Sequence, residues 1–215
     1  MRKKGNRYSR NILCQGLQLC LKNWRYLPTA IHTILTFNNS TSVSWSKREL
    51  SQKEHEFPFT SKKEKKELIR RANWLYKEVI VEDPEELIAK MPEQIGRQFQ
   101  GQWAIYACSM TACALCNLIR LYPELQDKYM GNVVRLIDQT NTPTIRYYDT
   151  EWWKEDALDS LDGDASHMTY ISILAWMIGN YRLAGGDGRY DILHKKLCDT
   201  LNRRMLASHD LNLPS

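Results

Sequence analysis

From residue 61 onward, apolar residues recur at helical spacing, and no strand-like alternation of useful length interrupts them. Ser61 and Glu64 have the spacing of a capping box, which predicts the start of a first helix. The apolar face of that helix is expected at Leu68, Ile69, Ala72, Leu75, Tyr76, Val79 and Ile80. Asp83 followed by Pro84 is typical of the start of a second, short helix that ends before Pro92.

The longest predicted helix runs from Glu93 to Leu121, and we expect it to be the central buried helix. The residues expected to face its neighbours are Ile95, Phe99, Trp103, Tyr106, Met110, Cys113 and Leu121. A short turn at Pro123 leads into the next helix, so these two helices are expected to lie antiparallel. The apolar face of the following helix is expected at Leu125, Tyr129, Val133, Leu136 and Ile137.

Residues 139 to 165 show no sustained period, and we interpret them as a long irregular loop. Such a loop in a compact domain is usually functional or disordered. Two further helices are predicted, from about His167 to Leu183 and from Asp187 onward, with the Gly185-Gly186 pair between them supplying the left-handed residue that ends a helix. The pattern therefore predicts an all-α fold built from antiparallel helical hairpins.

Composition divides the chain into two parts. Residues 1–59 form a basic N-terminal extension and a Ser/Thr/Asn-rich linker, expected to be poorly ordered or locally helical. Residues 60–215 form the helical domain. With 43% hydrophobic residues among 215, the chain needs no disulfide or metal to fold.

The cysteine pattern, which fits a reduced compartment, and the lack of a convincing signal peptide favour a cytoplasmic protein. Polar residues interrupt the apolar stretch that follows the basic start, so no signal peptide is predicted. No segment reaches the roughly 18 consecutive apolar residues typical of a bilayer span, so no transmembrane segment is expected. The net charge of +5 is modest and mixed in sign along the helical part, so no nucleic-acid partner is expected.

The segment from Tyr147 to Asp156 holds four acids and four aromatic rings in ten residues, and it is followed by His167. Carboxylates beside aromatic walls have raised pKa values, and an imidazole exchanges protons near neutral pH. This set of residue types indicates general acid–base chemistry. In the alternative interpretation the tryptophans pack the loop, the acids face water, and His167 is a packed residue in a first helical turn.

Other chemistries are disfavoured, and neither a cofactor nor a metal is expected. The acids from Asp159 to Asp164 lack the closing glutamate of a calcium loop. Cys108, Cys113 and Cys116 have no second pair at zinc-binding distance, so we interpret them as small buried packing residues. The chain contains no glycine-rich phosphate loop, no Gly-x-Ser-x-Gly elbow and no His-Glu-x-x-His, which disfavours the familiar nucleotide, serine-hydrolase and zinc-protease families.

Five segments between about residues 95 and 210 resemble one known family in order and spacing. They are the long aromatic helix from Arg97 to Leu118, Pro123-Glu124-Leu125, Trp153-Lys154-Glu155-Asp156, His167-Met168-Thr169-Tyr170, and the stretch from Tyr181 to His194. This succession is similar to the linalool dehydratase-isomerase domain.

The resemblance implies an α/α barrel around a central cavity, and a cofactor-free enzyme that adds, removes and moves the hydroxyl of small terpene alcohols. His167 corresponds to the family's active-site histidine and is the candidate catalytic residue. The candidate substrate-binding residues are Tyr147, Trp152, Trp153, Glu155, Asp156 and Tyr170. A small alcohol is the expected substrate, acted on by a hydro-lyase or isomerase.

The chain departs from the family at three points. Ser166 stands where the family usually has glycine, the family's functional cysteines have no counterpart, and Asn73-Trp74 aligns with a family acid. About six helices make half a ring, so we expect an incomplete α/α barrel (toroid) that is inactive without its C-terminal part. Its exposed edge suggests self-association or a continuation.

Two other functions stay open beside the enzyme. One is a non-catalytic helical-hairpin interaction module. The other, by fold analogy, is a carbohydrate-processing α/α toroid with Glu155 or Asp156 as the acid.

Overall fold

The computed structural model describes residues 61–81, 83–92 and 96–208. The regular secondary structure in these ranges consists of α-helices and short 3-10 helices, with no strand. The all-α prediction is therefore confirmed for this part of the chain. The α-helices are α1 Lys62–Val79, α2 Pro84–Ala89, α3 Arg97–Leu121, α4 Gln126–Thr140, α5 Pro143–Trp153, α6 Met168–Leu183 and α7 Asp191–Ala207. The predictions for residues 1–59 and for Ile95 lie outside the described residues.

Local capping signals define the starts of the first two helices, as predicted. The Ser61 hydroxyl accepts the Glu64 amide hydrogen at 3.2 Å, and the Glu64 carboxylate accepts the Ser61 amide hydrogen at 3.1 Å. Asp83 accepts the amide of Glu85 at 3.0 Å, and Pro84 occupies the first turn. Each contact satisfies an amide that the helix itself leaves free.

Helix α3 is the central helix, and it contacts α1, α2, α4, α5 and α6. The predicted inner face was wrong at Phe99 and Trp103, whose exposed fractions are 51% and 38%. The buried positions are mostly small and are Gly101, Ala104, Ile105, Cys108, Ser109, Thr111, Ala112, Cys113, Leu115, Cys116, Leu118 and Ile119. Because neighbouring helices surround α3 on several sides, its apolar residues are not confined to one face of the helix. Its small side chains allow these neighbours a close approach that large rings would block.

Two helix pairs show the predicted hairpin pattern. A 3-10 turn at Pro123–Leu125 joins α3 to α4, and the two helices pack together. Residues Tyr129, Val133, Leu136 and Ile137 are buried on α4, as expected. Helices α6 and α7 also pack together, and Gly185 between them adopts the left-handed φ of +87°.

The prediction of a continuous irregular loop over residues 139–165 is wrong. Helix α4 continues to Thr140, and α5 begins directly afterwards at Pro143. The Thr142 hydroxyl accepts the Ile145 amide at 3.4 Å, and proline fills the first turn, where no intrahelical hydrogen bond is lost. The irregular segment is confined to residues 154–167, which we call the site loop. It starts where Lys154 takes the left-handed φ of 62° and ends α5.

The cysteines of α3 lie in the core. Cys108, Cys113 and Cys116 are all buried, as their interpretation as packing residues requires. Burial raises the pKa of Cys108 and of Cys116 to about 12, so both thiols stay protonated at neutral pH. Among the described residues, no three His, Cys, Asp or Glu side chains are placed to hold a metal ion.

By length and composition α3 could cross a membrane, and among the described helices it is the only one that is long and apolar enough. Counting consecutive apolar residues did not indicate this, because glycine, serine and threonine are spread along the helix. Most of its apolar stretch is buried inside the fold. The core helix of a globular protein has the same length and composition, so these properties do not distinguish the two environments.

Candidate active site

Helices α5 and α6 bring an acid, an indole and an imidazole together. Asp149 and Trp153 are one turn apart on α5, and therefore lie on the same face of that helix. His167 immediately precedes α6, and its ring centroid lies 5.6 Å from that of Trp153 with a tilted geometry. The backbone of His167 has a φ of 46°, a left-handed conformation that few residues other than glycine adopt. The surrounding contacts must hold it there.

A carboxylate lies on each side of the imidazole. Asp149 Oδ2 is 2.5 Å from His167 Nδ1, and Glu155 Oε1 is 3.3 Å from His167 Nε2. Because an ionised carboxylate only accepts hydrogen bonds, and Asp149 makes the shorter of the two contacts, we assign a ring hydrogen to Nδ1. We call Asp149, His167 and Glu155 the acid–imidazole row. A buried acid that fixes one nitrogen leaves the other available for proton exchange.

Asp149 and His167 are buried, and only Glu155, at one end of the acid–imidazole row, is partly exposed. His167 is 0% exposed and Asp149 is 3% exposed, whereas the side chain of Glu155 is 43% exposed. The imidazole therefore has no direct contact with solvent. Of the three side chains of the row, Glu155 is therefore the one that is open to solvent, and its Oε1 lies 3.3 Å from Nε2.

Helix α7 fixes the site loop through its backbone carbonyls. The buried guanidinium of Arg204 donates to the carbonyl oxygens of Ser160 at 2.7 Å, Gly163 at 3.1 Å and Ser166 at 2.9 Å. The Thr200 hydroxyl donates to the carbonyl of Leu161 at 3.1 Å. These contacts hold the loop against α7 on the stretch that leads directly into His167.

Asp156 is engaged away from the imidazole. Its carboxylate accepts a hydrogen bond from Arg146 Nε at 2.5 Å and another from the Leu158 amide at 2.9 Å. Burial raises the pKa of Asp156, but the hydrogen bonds from Arg146 and the Leu158 amide outweigh burial, and the net pKa is lowered. Asp156 is therefore an ionised residue that ties the site loop to α5, and a poor proton donor.

The other candidates occupy three different environments. Trp153 contacts the imidazole, as described above. Tyr147 and Trp152 are 50% and 59% exposed on α5. Tyr170 is fully buried in α6, where its hydroxyl donates to the Thr140 carbonyl at 3.2 Å. The structure thus brings His167, Trp153 and Glu155 together, and places Tyr170 in the contact between α6 and the end of α4.

Sequence reasoning missed three residues of this site. Asp149 belonged to the acidic-aromatic segment but was not singled out, because α5 was taken for loop. Thr142 before Pro143 is a helix-start signal, and using it would have placed Asp149 on the face shared with Ile145. Ser160 and Arg204 carry no such signal, since their roles depend on how α7 packs against the site loop.

A shallow groove elsewhere does not belong to this site. It has a volume of about 270 Å³ and is lined by α4 residues and the segment after α1, including Arg135, Asp138 and Gln139. None of the acid–imidazole row lines it.

Comparisons of the chain with models of protein families, with curated proteins and with solved structures find no match. The similarity to the linalool dehydratase-isomerase domain therefore stays a prediction.

Proposed function

We propose that this protein carries a cofactor-free acid–base site that removes or moves the hydroxyl group of a small alcohol, as a hydro-lyase or isomerase. The observation that carries the proposal is the acid–imidazole row, with 2.5 Å between Asp149 and His167 and 3.3 Å between His167 and Glu155. The similarity in the order of sequence segments described above supports the same reaction class.

The row supplies what dehydration of an alcohol requires. The leaving hydroxyl must gain a proton, and a neighbouring carbon must lose one. Glu155 is the partly exposed member, so it is the group that meets the substrate. In its protonated form it donates to the leaving hydroxyl, which departs as water, and the Glu155 carboxylate so formed takes the proton from the neighbouring carbon, directly or by way of His167 Nε2, which restores the starting state. Asp149 holds the imidazole in orientation throughout, and the Trp153 ring provides an apolar wall.

We further propose that the described hairpins are part of an α/α barrel. The central position of α3 and the pairing of α3 with α4 and of α6 with α7 support this arrangement. The described helices would form about half of a ring. On this proposal, a closed cavity needs further helices, from the same polypeptide or from a second copy, and full activity depends on that closure.

The test is turnover by protein expressed from its whole coding sequence, with a panel of small tertiary and allylic alcohols. Alkene and rearranged alcohol are measured by gas chromatography. We expect Glu155→Gln and His167→Gln each to lower kcat/KM by about 10²–10⁴-fold, because each removes a proton-transfer group. Glu151→Gln is the matched control, since Glu151 is an exposed acid of α5, and it should leave kcat/KM unchanged.

Either of two results would reject the proposed hydro-lyase or isomerase activity. One is no turnover of any alcohol by the folded protein, and the other is turnover that is unaffected by Glu155→Gln and His167→Gln. The first favours the non-catalytic helical module. The carbohydrate alternative needs a second carboxyl group beside Glu155, and the engagement of Asp156 with Arg146 disfavours that residue for the role.

A further inference from the structure

A hydroxyl group also lies against the outer nitrogen of the imidazole. Ser160 Oγ is 3.1 Å from His167 Nε2, and Nδ1 of the same ring is 2.5 Å from Asp149 Oδ2. The acid–base proposal gives Ser160 no role. Hydroxyl, imidazole and carboxylate in this order form a nucleophilic relay, which is recognised by geometry and not by sequence position. The absence of a Gly-x-Ser-x-Gly elbow therefore does not exclude it.

We propose that Ser160 is a nucleophile activated by His167 and Asp149, and that this site transfers the acyl group of a small ester to water. This activity goes beyond the alcohol chemistry above, because it uses the serine hydroxyl and does not need Glu155. The substrate class is an ester with a good leaving alcohol.

The steps of acyl transfer balance with these three residues. Ser160 Oγ attacks the ester carbonyl while its proton passes to His167 Nε2, which forms a tetrahedral intermediate. That intermediate collapses, the C–O bond to the alcohol breaks, and the leaving alcohol takes the proton from Nε2. Water then attacks the acyl-serine with Nε2 as the base, and it releases the acid and regenerates the hydroxyl. Asp149 stays a carboxylate and holds Nδ1–H.

Hydrogen bonds at both its amide and its carbonyl hold the backbone of Ser160, and its amide donates to the Asp156 carbonyl at 3.0 Å. The Ser160 carbonyl accepts hydrogen bonds from Arg204 at 2.7 Å and from the Gly163 amide at 2.8 Å. In the described state, the hydroxyl itself donates to the Asp156 carbonyl at 2.7 Å. It must turn from that carbonyl toward Nε2 before it can transfer its proton.

Glu155 competes with Ser160 for the same nitrogen. Its Oε1 lies 3.3 Å from Nε2, only slightly farther than the serine oxygen at 3.1 Å. Glu155→Gln removes the charge that favours a hydrogen on Nε2, so Nε2 becomes freer to accept the serine proton. The same variant is expected to lower kcat/KM for the alcohol by about 10²–10⁴-fold, as stated above. The two proposals can therefore fail separately.

The experiment uses an alkyl fluorophosphonate, which reacts with an activated serine oxygen and releases fluoride. The full-length protein is incubated with the probe, and the modified peptide is identified by mass spectrometry. We expect a phosphonyl adduct on Ser160, a rate at least about tenfold lower in Asp149→Asn, loss of the adduct in His167→Gln, and an unchanged or faster rate in Glu155→Gln.

Ser172→Ala is the matched control. Ser172 lies on α6, where its hydroxyl donates to the Thr169 carbonyl at 3.4 Å, and its loss should not change the rate at Ser160. The proposal is overturned if the folded wild-type protein gives no adduct at Ser160. It is also overturned if the adduct forms at the same rate in Asp149→Asn and His167→Gln. The wild-type result needs no variant to fold.

Discussion

His167 shows how one buried polar side chain is satisfied. Its ring is 0% exposed, so both nitrogens need partners inside the protein, because an unpaired buried polar group costs about 1–3 kcal/mol. Asp149 is the hydrogen-bond partner of Nδ1, and Glu155 and Ser160 lie within hydrogen-bond distance of Nε2. Such a satisfied histidine also fits a structural role. The proton-transfer role rests on the exposed side chain of Glu155, which connects the ring to the outside.

Tyr148 precedes Asp149 on α5 and sets how closely α5 approaches α3. A Cβ atom added to Gly101 would lie 2.8 Å from the Tyr148 Cβ. The Tyr148 Cβ is bonded directly to the Cα of α5 and no side-chain rotation can move it away, so one of the two helices must move. The Tyr148 hydroxyl is itself buried, with no hydrogen-bond partner within the described part of the chain.

We expect Gly101→Ala to lower the free energy of unfolding by about 1–2 kcal/mol. Overpacking costs about 1–3 kcal/mol, and the gain in helix propensity returns at most about 1 kcal/mol. Gly131→Ala on α4 is the control, because its new Cβ meets nothing within 4 Å. That control should raise stability by about 0.5–1 kcal/mol. Urea denaturation measures both, and equal shifts of the same sign would contradict the close approach of α3 and α5.

At the scale of elements, α7 acts as the support of the site loop. Arg204 is 3% exposed and contributes three hydrogen bonds to loop carbonyls. A buried guanidinium is costly unless its donors are used, so the loop and α7 depend on one another. The left-handed backbone at His167 follows directly after this support.

Arg204→Gln is therefore expected to loosen the site loop and to destabilise the protein by on the order of 3 kcal/mol, since hydrogen bonds to charged groups are the strong ones. Hydrogen exchange should show faster amide exchange across residues 157–166. Arg97→Gln is the control, because Arg97 pairs with Glu85 at the surface with side chains 63% and 49% exposed. That change should cost less than about 1 kcal/mol. Equal effects of both substitutions would show that the loop does not depend on Arg204.

At the scale of the whole molecule, the sequence was informative where a local signal set the structure. Ser61, Asp83 and the Gly185-Gly186 pair act through their own backbone or the next turn, and the role of each was predicted correctly. The face of α3 could not be predicted in this way. Phe99 and Trp103 are large and apolar, but tertiary packing selected the small residues, because several helices approach α3 closely.

The candidate site could be predicted only in part for the same reason. His167, Trp153 and Glu155 lie within fifteen residues of one another in the chain, and their residue types indicated acid–base chemistry. Asp149 was missed because α5 was taken for loop. Arg204 lies 37 residues beyond His167 in the numbering, and only the packing of α7 against the site loop joins them.

The most direct test of the acid–imidazole row is the nitrogen-15 NMR spectrum of the His167 ring. We predict a hydrogen on Nδ1, with a proton resonance far downfield because of the short hydrogen bond to Asp149. That resonance should move upfield or disappear in Asp149→Asn, whereas Glu151→Gln should leave it unchanged. A ring with its hydrogen only on Nε2, or an Nδ1 signal that Asp149→Asn does not alter, would contradict the account.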